Sequence, residues 1–247
     1  MRTEMPDKAD TLGGLARGLA VIESFNPQQP RATIADVARA TGLTRAAARR
    51  CLLTLQELGY AGFDGKFFTL TPRVLRLGGA YLTSTPLPDI LQPELEAVRE
   101  ATHESCSAAI LDGPDVIYVA RSAANRIMSV SLGVGSRLPA HCTSLGRALL
   151  STLGEARLEA FLATLPDPGH TRAAVLAARA AGYALVNEEL EPGLRSVAMP
   201  VRDMRGQCVA AINIGAHAGR ATDAVVQEQF VPALRQAVQR LAQRIPG

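Results

Sequence analysis

The chain has 247 residues, 47% of them hydrophobic and 20% charged, with four cysteines and a formal net charge of +3. That balance excludes an intrinsically disordered chain, and the length suits two domains of ordinary size. No apolar run approaches the ~18 residues of a membrane span, the start is too polar for a secretory signal, and no Cys/His spacing suits a metal, so a cytoplasmic protein with reduced thiols and neither metal nor cofactor is expected.

In chain order, residues 1–11 read as a disordered tail. Leu12, Leu15, Leu19, Val21 and Ile22 then give a helical apolar stripe that ends at Pro27 and Pro30. Thr33 is placed as the N-cap of a second helix with Asp36 at its third position, and Gly42 closes it. Thr44 caps a third helix, 45–58, whose Ala48, Cys51, Leu52 and Leu55 form one inner stripe while Arg45 and Arg49 lie elsewhere. Residues 60–63 and 66–70 read as two strands joined by Asp64-Gly65, a strong hairpin signal. Thr71-Pro72 opens a linker helix to about Ser84, and Pro86 and Pro88 mark a boundary.

From residue 89 onward, helices and strands are mixed. A helix at 90–103 precedes strands at 107–111, 116–121 and 127–132. A Gly-rich loop, 133–136, leads to helices at 144–151, 155–164 and 171–181. Strands follow at 183–186, 194–201 and 208–214, then one long helix, 222–244. The reading is α+β: a winged helix-turn-helix at 12–71, a linker helix at 72–88, and an α/β effector-binding domain with a mostly antiparallel sheet at 89–247.

The charge is unevenly spread: residues 1–80 hold eleven Lys/Arg and seven Asp/Glu, a net of +4, against −1 for the rest. A basic module with this element order fits a double-stranded DNA partner. In the helix after Thr44, the small Ala46 lets the backbone approach DNA closely, and Arg45 and Arg49, one turn apart, can reach guanine edges or phosphates. Thr44 offers a hydroxyl to a phosphate and Lys66 stands at the hairpin tip. With Thr33 and Arg50 these residues make up the expected DNA contact set, although a charged helix face read alone is also an ordinary solvated surface.

The stretch Ala38-Arg39-Ala40-Thr41-Gly42-Leu43-Thr44-Arg45 through Leu58-Gly59-Tyr60 resembles the winged helix of the IclR family of bacterial regulators. Gly135-Ser136-Arg137-Leu138-Pro139-Ala140-His141-Cys142-Thr143-Ser144-Leu145-Gly146, Gly193-Leu194-Arg195-Ser196-Val197-Ala198 and Pro200-Val201-Arg202-Asp203 resemble its effector domain, which is GAF-like. Arg126-Ile127-Met128-Ser129-Val130 and the run Leu138 to Ser144 are similar to the aromatic-acid subgroup, the PcaR, PcaU and PobR type. The resemblance implies a regulator, with a lean toward activation, that binds a small organic acid at Ser144, Leu145, Val186, Ser196, Asn213 and Gly215. Relatives that bind small oxo-acids carry an acid at the Val186 position and serines at the Asn213 and Gly215 positions. The substitutions here lower polarity and open volume, which suits an aromatic or dicarboxylic acid.

Donors for the ligand carboxylate are expected from Thr143, Ser144 and the leading amides of their helix, and from Arg137 unless it forms a surface ion pair. His141 either bonds a ring hydroxyl or is structural. A homodimer or homotetramer is expected, through the first helix and Val74, Leu75, Leu77 and Leu82, which could instead be buried within the monomer. Three alternatives stand beside this: a repressor of another small-acid pathway, a sensor that has lost DNA binding, and a thiol enzyme built on Cys142 beside His141, which lacks a third orienting group.

Overall fold

The computed structural model describes residues 11–124 and 132–247. The expected tail, all but Thr11, and the expected strand at 127–132, all but Leu132, lie outside the described residues, as does the stretch Arg126 to Val130. The chain divides between Ser84 and Thr85 into two compact units.

The first unit runs α1 (Gly13–Glu23), β1 (Arg31–Ala32), α2 (Ile34–Thr41), α3 (Arg45–Glu57), β2 (Ala61–Phe63), β3 (Phe68–Leu70), a 3-10 turn (Pro72–Val74) and α4 (Leu75–Ser84). The start of α2 is fixed by a reciprocal cap. The Asp36 amide donates to the Thr33 hydroxyl at 3.3 Å, and the Thr33 amide donates to the Asp36 carboxylate at 3.0 Å. Gly42 ends α2 with φ of +69°, a left-handed conformation that favours glycine. The Thr44 hydroxyl caps α3 by accepting from the Ala47 amide at 3.2 Å.

The hairpin is a three-stranded antiparallel sheet, because β1 pairs with β3 through Arg31↔Thr69 and Ala32↔Phe68. Val21, Val37, Ala48, Leu52, Leu55 and Phe68 form the core of this unit. Helix α4 buries none of its residues, and Leu75 is 75% exposed.

The second unit runs α5 (Leu87–Thr102), β4 (Ser105–Asp112), β5 (Asp115–Ser122), β6 (Arg137–Pro139), a 3-10 turn (Ala140–Cys142), α6 (Ser144–Leu150), α7 (Glu155–Leu162), α8 (Pro168–Ala181), β7 (Ala184–Asn187), β8 (Leu194–Arg202), β9 (Cys208–His217), α9 (Asp223–Val225), a π turn (Val226–Phe230) and α10 (Val231–Ala242). Among the described residues, six strands form one antiparallel sheet in the order β6-β5-β4-β9-β8-β7. Alternation along β9 sorts the two faces. Ala210, Ile212, Ile214 and Ala216 pack with α5 and α10, and Ala211 packs with α6, α7 and α8.

Two helix expectations change. The helix expected at 90–103 begins earlier, at Leu87, with Pro88 in its first turn, where a missing N–H costs no helical bond. The C-terminal segment is helical throughout residues 223–242, but it carries a π turn at Val226–Phe230. Pro232 has no N–H for the carbonyl four residues back, and the Val231 amide bonds instead to the Val226 carbonyl across a π turn.

Candidate functional site

In the first unit, one groove is lined by Thr33, Ile34, Ala35, Arg45, Ala46, Arg49, Phe63, Gly65, Lys66 and Phe68. It joins the start of α2, the leading turns of α3 and the hairpin tip. Five of the seven expected DNA contacts therefore meet on one surface. Thr44 is exposed beside it as the α3 cap. Arg50 is not part of it, and lines an apolar hollow with Leu15, Leu19, Leu58 and Leu77.

Arg45, Arg49 and Arg50 are exposed, and among the described residues their side chains make no hydrogen bond or ion pair. The sequence reading missed Arg31. Its guanidinium lies 4.4 Å from the centroid of the Phe67 ring, and the Lys66 ammonium is 5.1 Å from the same centroid.

The second unit holds a cavity of about 250 Å³ between the sheet and the start of α6. Ser144, Leu145, Val186, Ser196, Asn213 and Gly215, the residues implied by the resemblance, all line it, as does Thr143, expected as a donor. Arg137 and His141 do not. Arg137 stands on the edge strand β6, held by Asp112 at 2.8 Å and Asp115 at 3.3 Å, so the surface ion pair is the form it takes. The His141 carbonyl accepts from Arg147 Nε at 2.8 Å, fixing the turn before α6.

Several polar groups are already engaged. The Thr143 hydroxyl caps α6, accepting from the Gly146 amide at 3.2 Å and donating to the Pro139 carbonyl at 2.9 Å. With the Arg147 amide bonded to the Thr143 carbonyl as well, the leading amides of α6 are less free than expected. Asn213 Oδ1 accepts from the buried Ser107 amide at 3.1 Å. The Ser144 hydroxyl is different. Ser144 is 1% exposed, and its Oγ has no partner among the described residues. Buried hydroxyls are normally satisfied, so an orphan at a cavity wall points to a ligand.

Of the two arginines that line the cavity, Arg220 pairs with Glu104 at 3.0 Å, which leaves Arg121, a residue that no sequence pattern had singled out. Its Nη1 donates to Ser107 Oγ at 2.9 Å, and no carboxylate pairs with it among the described residues. A β-bulge explains why alternation hid it. Tyr118 pairs with Ala109 and Ala120 with Ala108, leaving Val119 as an extra residue. Beyond it the alternation inverts, so Arg121 faces the same cavity as Tyr118.

Cys142 also lines the cavity, but burial pushes its thiol pKa up, the reverse of what a thiolate nucleophile needs. Among the described residues no group of three or more His, Cys, Asp or Glu is placed to hold a metal ion, and no helix is long and apolar enough to cross a membrane.

Comparison with known proteins fixes the family. The IclR helix-turn-helix domain profile matches residues 14–65, and the profile described as bacterial transcriptional regulator IclR C-terminal matches residues 79–243. The chain belongs to the IclR family. It is thus a DNA-binding transcription regulator, and the family is one of regulators rather than enzymes. The Pca regulon regulatory protein of Pseudomonas putida is 44% identical, covering 96% of this chain and 86% of the relative. The p-hydroxybenzoate hydroxylase transcriptional activator of Acinetobacter baylyi is 37% identical over 94% and 91%. Among solved structures, a transcriptional regulator from Rhodococcus sp. RHA1 superposes with a TM-score of 0.80 at 46% identity, covering 95% of this chain and 98% of that one. An IclR homolog from Microbacterium hydrocarbonoxydans in complex with 4-hydroxybenzoate superposes with a TM-score of 0.74 at 26% identity, covering 94% and 98%.

Proposed function

We propose that this IclR-family chain is a dimeric activator of aromatic-acid catabolic genes, switched by a small aromatic carboxylic acid bound in the cavity of the second unit. One observation carries the ligand class. Among the described residues, an arginine without a carboxylate partner, Arg121, and a buried hydroxyl without a hydrogen-bond partner, Ser144, line one cavity whose other walls include Val186, Leu145, Leu132 and Leu138. A guanidinium and a hydroxyl suit a carboxylate, and the apolar walls suit a ring. The relatives named for pca genes and for p-hydroxybenzoate hydroxylase, and the neighbour holding 4-hydroxybenzoate, support the same class.

Operator DNA is read by α3, with Thr33, Thr44, Arg45, Ala46, Arg49 and Lys66 as the contact set; Arg50, on the side of the apolar hollow, is left out of it. Two subunits present two such helices to symmetric half-sites. The dimer face is supplied by α1 and α4, where Leu12, Leu15, Leu19, Leu75, Leu77 and Leu82 stand exposed. Light scattering at micromolar concentration returns a dimer or tetramer mass. A monomer mass contradicts this assembly.

The test of the whole reading is a gel shift with the DNA upstream of the chain's own gene. The protein shifts that DNA, Arg45→Ala and Arg49→Ala do not, and 4-hydroxybenzoate or protocatechuate alters the complex. Equal behaviour with aromatic acid, adipate and no acid refutes the ligand assignment.

A further inference from the structure

We propose that Phe67 is a positioning residue for duplex DNA: its ring holds Arg31 and Lys66 as a prearranged pair of cations for backbone phosphates at the hairpin. The inference rests on the hairpin lying against DNA, as proposed above, and adds two things to it: a phosphate contact at Arg31 and an aromatic support shared by both cations.

Arg31 and Lys66 are far apart in sequence. The pairing of β1 with β3, Arg31↔Thr69, brings Arg31 to the ring that Lys66 also approaches. Both side chains are exposed, and among the described residues neither has a salt bridge. The nearby acid is engaged elsewhere. Asp64 Oδ1 accepts from the Lys66 amide at 2.9 Å and the Phe67 amide at 2.7 Å, closing the hairpin turn. Those amides, Phe67 first, hold its carboxyl below the usual range, with Arg31 adding a smaller effect.

The placement has a functional consequence. Lys66 lines the same groove as Arg45, Ala46 and Arg49, so the pair extends the basic surface of α3 along the hairpin. Free Arg and Lys side chains lose rotamer freedom when they grip a phosphate. A cation resting on an aromatic face is restrained before the DNA arrives, so less freedom is lost on binding. Phosphate contacts carry affinity without sequence information, and they appear in the salt dependence of binding.

The experiment is fluorescence anisotropy with the full chain and two labelled duplexes, one from upstream of its own gene and one of scrambled sequence, over about 50 to 200 mM salt. Arg31→Ala and Lys66→Ala each reduce the slope of log affinity against log salt by about one on both duplexes. Phe67→Leu weakens binding about threefold or more, and Phe67→Tyr, which keeps the ring, restores it. In the Arg31→Ala/Lys66→Ala background, Phe67→Leu costs nothing further.

Unchanged slopes in both cation variants overturn the proposal. So does a Phe67→Leu loss of the same size without the cations as with them, or a cation effect confined to one duplex. The cation variants alter exposed side chains, so their slopes decide the matter even if Phe67→Leu melts early. If Arg45→Ala also leaves binding intact, the proposed DNA surface itself fails. If binding depends on Arg45 and not on Arg31 or Lys66, this proposal fails as a whole, while the reading of α3 as the DNA-binding helix stands.

Discussion

Arg147 meets both carboxylate oxygens of Glu189, at 2.6 and 2.5 Å, and so ties the helix at the cavity's base to the turn that forms its wall. Arg147 is 3% exposed and lies on α6, whose first residues, Ser144 and Leu145, line the cavity. Glu189 leads into Leu190, Glu191, Pro192 and Gly193, which line it from the other side. His170 Nε2 lies 3.0 Å from the same carboxylate.

Removing the acid strands a buried cation. Glu189→Ala therefore lowers the unfolding free energy by about 3 kcal/mol, read by urea titration. The pair also sets a pH dependence. Burial works against ionisation of Glu189, but hydrogen bonds from Arg147 and His170 outweigh it and hold the carboxyl below its ordinary value of 4.5. The folded pKa is lower than the unfolded one, so this stabilisation is complete above the unfolded value and disappears as pH falls through the folded value. Urea midpoints taken from about pH 7 to pH 3 fall less steeply in Glu189→Gln than in the wild type. Parallel curves contradict the assignment.

Gly146 is the second point of tight fit. A Cβ on it would lie 2.1 Å from the Ala140 carbonyl oxygen, inside the turn that leads into α6. Gly146→Ala pushes α6 off that turn and lowers stability by about 1–3 kcal/mol. A melting temperature equal to the wild type would mean that the turn yields freely.

Ser144→Ala separates stability from function. Deleting a buried hydroxyl without a partner leaves the ligand-free protein as stable as before, or more stable by about 1 kcal/mol. The same change weakens the response to an aromatic acid. If the variant is less stable and responds fully, the hydroxyl has a structural partner and is not waiting for a ligand.

Local chemistry made much of this molecule legible in its sequence. Thr33 with Asp36, Gly42, Thr44 and Asp64-Gly65 are short-range signals, and each ends or begins an element as the sequence implied. What stayed hidden depends on distant partners. Strand β1 has only two residues, too few for a periodicity, and exists because β3 receives it. Arg137 could be read as a ligand donor or as half of a surface ion pair, and only the fold, which brings Asp112 and Asp115 beside it, decides for the pair. Arg121 was lost to the bulge at Val119, because strict alternation sends it to the opposite face of the sheet. The motif residues Ser144, Val186, Ser196, Asn213 and Gly215 were found by resemblance, and their meeting at one cavity follows from the register of β7, β8 and β9.

Asp64→Asn tests the electrostatics of the hairpin. Both amide bonds of the turn go to Oδ1, which asparagine keeps, while the negative charge beside Arg31 is removed. DNA affinity at low salt rises severalfold and the gain shrinks as salt is added. Lower affinity at every salt concentration would show that the charge itself shapes the turn.

The central claim is that an acid's carboxylate enters the second unit at Arg121. It is tested most directly by thermal shift with 4-hydroxybenzoate and its uncharged amide, 4-hydroxybenzamide, on the wild type and Arg121→Gln. Ligand that binds the folded state alone raises its stability, by about 2.7 kcal/mol at a hundred times Kd. The acid raises the melting temperature of the wild type, the amide does not, and Arg121→Gln responds to neither. An Arg121→Gln protein that the acid stabilises as strongly as the wild type contradicts the account.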